Sequence, residues 1–366
     1  MTFLKKNTSS QIAICLIISI SFIFSYKYVA RITNYSLYIS IAYALLLFWM
    51  TDYILNGGRV LNNRLLYSII AIYMLFIVIA FSIINPANLR VDRWSVITCF
   101  WDAIISGIYP YQVKSHMGGY PGAFPFYFLL ALPFYLLGEI GYFSLLGLLV
   151  MLVDINLYFK EDNQRKMAAI YLLLFSVAIC WEMVARSTLL INAALILLYS
   201  MWMVSNKNQS IKQYTIMGIV GGLLLSTRSI FVVPIILCCA YCFLKQLKFK
   251  ELIVYGCSFM IAFSITIVPF ILWDPQLFIK YNPFTEQGGV VGSYISIALI
   301  MISVMVGFWV KTEAQFYLGS GLIIYGAAFM YFISRFIQNG FNPELLITGA
   351  DISYFILALP FLLLSI

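Results

Sequence analysis

Asp92 is the residue whose type and surroundings best suit it to carry out chemistry. It follows an apolar run by about eight residues and lies between Arg90 and Arg93. A carboxylate that reaches a bound hydroxyl group can act as a general base and remove its proton. In a simpler interpretation, the three charges neutralise one another in a hydrated loop at a membrane surface. The residues alone leave both interpretations open.

Aromatic residues, glycines and prolines follow Asp92 in a short stretch between long apolar runs. Residues 95–108 have the amphipathic pattern of a helix that lies in the membrane interface, where tryptophans such as Trp94 act as anchors. The stretch continues into the turn sequence Gly107-Ile-Tyr-Pro-Tyr111. We therefore predict that residues 85–122 form an outer catalytic loop, with an interfacial helix that covers a cleft.

Two arginines interrupt the apolar sequence farther along the chain, at places where short helices are expected to meet. They are Arg186 and Arg228. A charge at membrane depth is costly, and a guanidinium group can bind phosphate through two parallel hydrogen bonds. Both residues are therefore candidate functional residues. Alternatively, these side chains reach lipid headgroups, or Arg186 pairs with Glu182 one helical turn away.

Other polar residues are weaker candidates for a role in chemistry. Asp102 is a rival base, although its place on the predicted interfacial helix favours contact with water or a cation. His116 is the only histidine of the chain, and a single loop histidine is usually hydrated. Asp274, Lys280 and Glu286 belong to a second polar segment that could form a wall for an acceptor.

The elements that position these residues must be built for a lipid environment. Of the 366 residues, 63% are hydrophobic and 10% are charged, and the mean hydropathy is +0.96. A soluble domain averages about 45–50% apolar and about 25% charged residues, so lipid must solvate much of this chain. Continuous apolar runs favour membrane helices over strands. We predict an all-α bundle of about 11–13 spans that forms one integral membrane domain over residues 1–366.

Basic residues in short loops predict the orientation of this bundle, because lysine and arginine concentrate on the cytoplasmic side of a membrane. Residues 11–30 are predicted to be a retained first span. Thirteen of the 22 basic residues fall on one side, namely Lys5, Lys6, Arg59, Arg64, Lys160, Arg165, Lys166, Lys207, Lys212, Lys245, Lys248, Lys250 and Lys311. With the N-terminus on that side, three spans place Asp92 on the outer face.

Two apolar stretches lie between the Asp92 loop and the basic loop at Lys160. They cover residues 123–138 and 140–159. Two full crossings would return the chain to the outer face, where basic loops are disfavoured. We therefore expect that 123–138, which contains Pro125 and Pro133, does not cross fully. The alternative is that the basic loop is external.

From Asp92 onward, the chain resembles the GT-C superfamily of membrane glycosyltransferases, particularly its bacterial, mannosyltransferase-like branches that use polyprenyl-phosphate sugars. Asp92 matches the catalytic aspartate near the start of that family's first outer loop. Ala103-Ile-Ile-Ser-Gly-Ile-Tyr-Pro-Tyr111 matches the helix and turn that follow. Tyr120-Pro121 matches the exit of the loop, with Gly122 in the place of the usual second proline.

The resemblance continues downstream through shorter motifs. Gly221-Gly-Leu-Leu-Leu-Ser-Thr-Arg-Ser229, followed by Pro234, is similar to the family's short helix, basic residue and apolar helix. Trp273-Asp-Pro275 resembles its later outer loop. The similarity covers roughly residues 66–290. The chain departs from many relatives in having two additional spans before the Asp92 loop.

The resemblance implies a GT-C fold and an inverting sugar transfer at the outer face of a bacterial cytoplasmic membrane. The donor would be a polyprenyl-phosphate or pyrophosphate sugar, and the acceptor a hydroxyl group of a glycan, a lipid or a protein. Phosphate leaves as a stable anion, so one carboxylate, Asp92, suffices as a base, whereas glycoside hydrolysis needs two. Arg228, Arg186 and Arg93 would bind the phosphate. The sugar and acceptor pocket would consist of Trp94, Asp102, Tyr109, Tyr111, His116 and Tyr120.

This chemistry requires no cofactor. A divalent cation beside Asp92 is conceivable but not indicated, because no second carboxylate is placed next to it in the sequence. Most of the seven cysteines lie in apolar runs and are interpreted as small packing residues. The net charge of +8 fits attraction to anionic membrane lipids. The basic residues are scattered, which argues against nucleic acid as a partner.

Two other functions compete with sugar transfer. A flippase or transporter for a lipid-linked glycan would show inverted repeats with discontinuous helices, and the sequence shows no such repeat. A polysaccharide polymerase or ligase would show a larger outer loop late in the chain, and the later polar segments here are short.

Overall fold

The computed structural model of the protein describes residues 8–366 apart from 59–60, 206–209, 247, 292, 339, 341–343 and 350. Every regular element in these residues is a helix, which confirms the predicted all-α class. Lys5, Lys6, Arg59 and Lys207, which contribute to the predicted orientation, lie outside the described residues.

The described chain forms seventeen α-helices joined by short turns and single helical turns. They are α1 Thr8–Val29, α2 Ser36–Leu55, α3 Asn63–Ile83, α4 Arg93–Ile105, α5 Pro125–Leu136, α6 Gly141–Tyr158, α7 Asn163–Leu174, α8 Val177–Val184, α9 Leu189–Ser205, α10 Ile211–Leu225, α11 Val232–Cys239, α12 Phe249–Trp273, α13 Pro275–Lys280, α14 Pro283–Val291, α15 Ser293–Trp309, α16 Glu313–Gln338 and α17 Leu359–Leu364. Shorter 3-10 and π segments include Pro110–Gln112, Ser229–Phe231, Ala240–Leu244, Leu345–Gly349 and Ile352–Ala358.

Six of the described helices are long and apolar enough to cross a membrane, which identifies an integral membrane protein. These are α1, α2, α3, α6, α12 and α16. The pair α7 and α8, bent by 53°, passes the same test when it is counted as one span. The other apolar stretches form six shorter helices of 10–17 residues, when Ser229–Leu244 and Ile352–Leu364 are each counted as one continuous helix. The structure therefore has fewer full-length spans than the 11–13 predicted from sequence.

The helix α5 is shorter than a membrane span. It has 12 residues, begins at Pro125 and contains Pro133. At 1.5 Å per residue its length is about 18 Å, which is shorter than the hydrocarbon core of about 30 Å. The following helix α6 has 18 residues and can cross. That residues 123–138 do not cross fully stays a prediction.

The buried centre of the bundle is formed around α9, which packs against α6 and the C-terminal helices. A Cβ atom added at Gly147 of α6 would lie 2.7 Å from the backbone nitrogen of Ile191 in α9. Only glycine permits this approach, which brings the two helices into close contact as in other membrane bundles. The N-terminal pair α1 and α2 is joined by a hydrogen bond from the hydroxyl of Ser40 to that of Ser25 at 3.1 Å.

Helix α4 begins directly after Asp92 and packs against α5 on an aromatic cluster. The ring of Phe100 stacks on that of Phe128 with centroids 3.6 Å apart. The indole nitrogen of Trp101 donates a hydrogen bond to the carbonyl oxygen of Phe128 at 3.1 Å. This packing fixes α4 to the bundle and so positions its first residues. The location of α4 in a membrane interface stays a prediction.

Candidate functional site

A cavity of about 630 Å³ opens at the start of α4. We call it the Asp92 cavity. It is bordered by the first turn of α4, the chain around Tyr120, the break between α10 and α11, helix α14, the second half of α16 and the segment from Asp351 to Leu357. Its volume lies within the range of about 300–1,000 Å³ typical of small-molecule sites. Elements distant in sequence therefore converge on one site.

Asp92 presents its carboxylate to this cavity with one oxygen held in place. Its Oδ2 atom accepts a hydrogen bond from the hydroxyl of Ser115 at 2.8 Å. Its backbone oxygen accepts hydrogen bonds from the amide of Val96 and the hydroxyl of Ser95, both at 2.9 Å. Within the described part of the chain, its Oδ1 atom has no hydrogen-bond partner. The carboxylate is thus oriented but retains an oxygen that can accept a proton.

A tight turn between Ser115 and Gly119 positions the serine hydroxyl. The amide of Ser115 donates to the carbonyl oxygen of Gly119 at 2.8 Å, and the amide of Gly119 donates to the Ser115 hydroxyl at 3.2 Å. Gly118 adopts a φ of +85°, a conformation that favours glycine. A Cβ atom at Gly119 would lie 2.9 Å from Asp92 Oδ2. Glycine at position 119 therefore leaves room for the carboxylate.

Arg93 also borders the cavity, but its charge is already paired. Its Nη2 atom lies 2.9 Å from Asp351 Oδ2 and donates to the hydroxyl of Ser353 at 2.8 Å. Burial alone would lower the pKa of Arg93, but the carboxylate of Asp351 outweighs this effect and raises it. The pair anchors the start of α4 to the C-terminal segment. It leaves Arg93 less suited to bind a substrate phosphate than the sequence suggests.

Arg228 borders the same cavity, and no described residue forms an ion pair with it. It lies in extended backbone between α10 and the helical turn that starts at Ser229. Its guanidinium carbon lies 5.6 Å from the ring centroid of Tyr127. Its Nε atom is buried without a hydrogen-bond partner, and no ion pair of Arg228 forms among the described residues. A cation held in this way is available to an anionic ligand.

Helix α14 contributes three polar residues to the cavity lining, Thr285, Glu286 and Gln287. Glu286 lines the cavity beside Gly122, whose added Cβ atom would lie 3.2 Å from Glu286 Cβ. Gln287 also lines the cavity, and its Oε1 atom accepts a hydrogen bond from the amide of Ser229 at 2.6 Å. The second polar segment of the sequence therefore does reach the site, through Glu286.

Of the six residues of the predicted sugar and acceptor pocket, all of which the structure describes, Tyr120 alone borders the cavity. The Nζ atom of Lys114 lies 5.3 Å from its ring centroid. The ring of Tyr281 lies 5.1 Å away, centroid to centroid. An aromatic ring supported in this way offers a flat face on which a sugar can stack.

Trp94 and His116 form a contact of their own beside the cavity and do not line it. Their ring centroids are 5.2 Å apart. Nδ1 of His116 is hydrogen-bonded to the hydroxyl of Ser95 at 2.6 Å. Because Ser95 also donates to the backbone of Asp92, this contact supports the first turn of α4. Both residues thus stabilise the surroundings of Asp92 instead of forming the cavity surface.

Tyr109, Tyr111 and Asp102 also lie away from the cavity lining. Tyr111 is fully buried in the aromatic cluster and donates a hydrogen bond to the carbonyl oxygen of Ala123 at 3.2 Å. Tyr109 is buried in the same cluster, and burial raises the pKa of both phenols. Asp102 accepts a hydrogen bond from the hydroxyl of Tyr135 at 2.6 Å. The contacts of the two tyrosines are those of packing residues.

Arg186 lies away from the Asp92 cavity, and its guanidinium group is hydrogen-bonded within the protein. Its guanidinium contacts both carboxylate oxygens of Glu139, at 2.9 and 3.2 Å, and donates to the carbonyl oxygen of Phe81 at 2.7 Å. It does not border the Asp92 cavity. The alternative ion pair with Glu182 is not formed either. Glu182 accepts hydrogen bonds from the amides of Leu189 and Leu190 at the start of α9.

The structure thus brings together four of the predicted site residues: Asp92, Arg93, Tyr120 and Arg228. Sequence analysis missed Ser115, Gln287 and Asp351. Asp351 is two residues before Ser353, and its Oδ1 accepts from the Ser353 amide, a capping pattern that a sequence can reveal. Its pairing with Arg93 joins residues far apart in the chain, so no local signal marks it.

Metal ligands do not cluster in the described part of the chain. No group of three or more histidine, cysteine, aspartate or glutamate side chains within it is close enough to hold a metal ion. Cys238 and Cys242 are buried in the apolar interior near the end of α11, and all seven cysteines are free thiols. The lining of the Asp92 cavity contains acidic, basic and amide groups.

Comparisons with models of protein families, with curated proteins and with solved structures found no match to this chain.

Proposed function

We propose that the protein is an integral membrane glycosyltransferase of the GT-C type. It would transfer a sugar from a polyprenyl-phosphate or pyrophosphate donor to an acceptor hydroxyl, with Asp92 as the general base. One observation supports this above all: Asp92 has a carboxylate oxygen without a partner among the described residues, and it shares a cavity with Arg228, whose charge no described residue balances. A base and an anion-binding cation are the two groups that this reaction needs.

The proposed reaction proceeds by a single displacement. The free oxygen of Asp92 takes the proton of the acceptor hydroxyl as that oxygen attacks the anomeric carbon of the sugar. The bond between this carbon and the phosphate oxygen breaks, and the phosphate departs with the electron pair. Arg228 stabilises the negative charge on the departing phosphate, so no acid is needed to protonate it. Attack opposite the leaving group inverts the anomeric configuration.

The cavity also contains an apolar region suited to the lipid of such a donor. Its apolar lining includes Val232, Val233, Leu299, Ile324 and Leu357. Burial of isoprenoid carbon against these side chains contributes about 25 cal/mol per Å² of apolar surface. The phosphate would then lie where the apolar lining meets Arg228. In this proposal the site faces the outside of a bacterial cytoplasmic membrane, and the acceptor is a glycan, a lipid or a protein.

The test is a transfer assay in vesicles that contain the protein, a radiolabelled polyprenyl-phosphate hexose and an envelope extract as the acceptor. The variant Asp92→Asn retains an oxygen that can accept the hydrogen bond from Ser115, but it cannot act as a base. We expect transfer to fall by about 10²–10⁴-fold. Asp102→Asn is the matched control, because Asp102 lies away from the cavity. It should retain activity within about twofold, as distant surface changes usually do.

Two outcomes would contradict the proposal. Full transfer by Asp92→Asn would show that another group is the base. Movement of the labelled lipid across the bilayer without sugar transfer, in both the wild type and the variant, would identify a flippase.

A further inference from the structure

Gln287 has an amide group whose orientation is fixed by the chain itself. Its Oε1 atom accepts the hydrogen bond from the Ser229 amide at 2.6 Å. A backbone N–H can only donate, so the carbonyl end of the side chain must face Ser229. The NH₂ end is therefore turned away from Ser229. In this way the Ser229 amide determines where Gln287 presents its two donors.

These donors have no partner in the described structure. Nε2 of Gln287 is buried and makes no hydrogen bond with the described residues. Buried polar groups in folded proteins are almost always paired, because an unpaired group is destabilising. Gln287 borders the Asp92 cavity, so a ligand in this cavity is the natural partner. A donor held ready in this way points to an acceptor atom on the ligand.

Arg228, the residue before Ser229, supplies a second hydrogen-bond donor beside that of Gln287. Its Nε atom is likewise buried without a partner, and its side chain borders the same cavity. The hydrogen bond between Ser229 and Gln287 links α14 to the residue after Arg228, so the two donor groups are held by one connected unit. Both groups can only donate at these nitrogens. The ligand group that fits them is therefore an oxyanion.

A neighbouring carboxylate lines the same cavity. Glu286 packs beside Gly122, whereas the side chain of Gln287 contacts Ser229. Successive helical residues are turned by about 100°, so the two side chains leave α14 in different directions.

We propose that Gln287 binds a phosphate oxygen of the lipid-linked substrate, together with Arg228. Gln287 is thus a phosphate-binding residue that holds the leaving group in place for transfer. This inference rests on the proposed function for the identity of the phosphate carrier. It predicts that the anion site recognises polyprenyl phosphate itself, with or without the sugar.

The test uses Gln287→Glu, which keeps the shape of the side chain and an oxygen for the Ser229 amide but replaces the NH₂ donor by a negative oxygen. Binding of a short-chain polyprenyl phosphate to the full-length protein in detergent micelles is measured by calorimetry. We expect binding to weaken at least about tenfold, since a donor to a charged group is lost and a like charge is added. Binding of the polyprenol that lacks phosphate should not change.

Gln315→Glu is the matched control for the added charge. The Oε1 atom of Gln315 also accepts a backbone hydrogen bond, from the amide of Lys311 at 2.9 Å, but Gln315 lies outside the cavity. This control should bind polyprenyl phosphate as the wild type does. Gln287→Met, which has no donor and no added charge, should weaken binding to a smaller extent. It serves as the second variant if Gln287→Glu does not fold.

The outcomes separate this inference from the proposed function. If both Gln287 variants bind polyprenyl phosphate as tightly as the wild type, Gln287 does not bind the phosphate, whatever the transfer assay shows. If the wild type binds polyprenyl phosphate no more tightly than polyprenol, the cavity has no phosphate site and the inference is wrong. Weaker polyprenyl-phosphate binding by both Gln287 variants, together with full transfer by Asp92→Asn, would support the phosphate site and overturn only the role of Asp92 as the base.

Discussion

Arg186 and Arg228 occupy similar places in the sequence and opposite environments in the structure. Each lies at a break between two helices, and each interrupts an apolar stretch. Arg186 contacts both oxygens of Glu139 and the carbonyl oxygen of Phe81. Arg228 rests over the ring of Tyr127 and has no ion pair among the described residues. One guanidinium group is saturated by the protein, and the other is left for a ligand.

A basic residue at a helix break is therefore not by itself a ligand site. Its role depends on whether the protein supplies the counter-ion. Arg186 has a φ of +51°, an uncommon conformation for a residue with a side chain, and its many partners stabilise that backbone. A structural arginine of this kind should matter for stability, whereas Arg228 should matter for substrate binding.

The largest effect is expected when the structural arginine is removed. Arg186→Gln leaves the Glu139 carboxylate and the Phe81 carbonyl without their partner. We expect the free energy of unfolding in detergent to fall by about 3 kcal/mol, because breaking a buried ion pair from one side is strongly destabilising. The folded fraction should still transfer sugar at the wild-type rate. A stable variant with reduced transfer would reverse the assignment of the two arginines.

Arg228→Gln tests whether the arginine without an internal ion pair binds the substrate. The loss of a charged hydrogen bond to the phosphate, worth about 1.5–3 kcal/mol, predicts a decrease of about 10–150-fold in kcat/KM for the lipid-linked donor. The unfolding midpoint should remain close to that of the wild type, because no described residue loses an ion pair. Arg228→Lys keeps the charge but not the planar fork, so its defect should be smaller. A destabilised Arg228→Gln protein would indicate a structural role instead.

Arg93 is intermediate between these two arginines, because it borders the cavity and is paired with Asp351. The variant Asp351→Asn tests what this pair contributes. Burial alone would raise the pKa of Asp351, but Arg93 and the hydrogen bonds from Ser353 outweigh this and hold the pKa below the usual value of an aspartate. A lowered pKa means that the charged pair stabilises the fold above about pH 4 and stops doing so as the pH falls through the folded-state pKa.

We expect Asp351→Asn to reduce the free energy of unfolding at pH 7 by about 1 kcal/mol. The effect is modest because the Asp351 side chain is 43% exposed and water screens the pair. The difference between variant and wild type should shrink in unfolding experiments below about pH 4. A difference that is independent of pH would show that shape, not charge, is the contribution of Asp351.

Much of the fold could be predicted from local sequence, because hydropathy and helical length are local properties. The apolar runs at α1, α2 and α3 were predicted as spans and are long enough to cross a membrane. Fewer of the described helices reach full span length than predicted, because an apolar helix enclosed by protein does not need the length of a bilayer. The helix α9, with 17 residues, is buried among other helices, so its apolar sequence reflects protein packing.

The candidate site could be predicted only in part. Asp92 and Arg228 have unusual local sequences, and both border the cavity. Gln287 carries no local signal, because an amide on a short helix becomes a ligand group only when Ser229 fixes its orientation. Tyr111 was placed in the sugar and acceptor pocket by the family resemblance. In the structure it packs against the aromatic rings of Phe100 and Phe128 instead.

The C-terminal wall of the Asp92 cavity determines when this cavity can form during synthesis. Tyr354 borders the same cavity as Asp92, and Asp351 pairs with Arg93, the residue after Asp92. At a translation rate of about 5–20 residues per second, the ribosome reaches Tyr354 roughly 13–50 s after Asp92. The helices inserted during that interval lack one side of the cavity. A nascent chain therefore cannot complete the Asp92 cavity before its translation has passed this tyrosine.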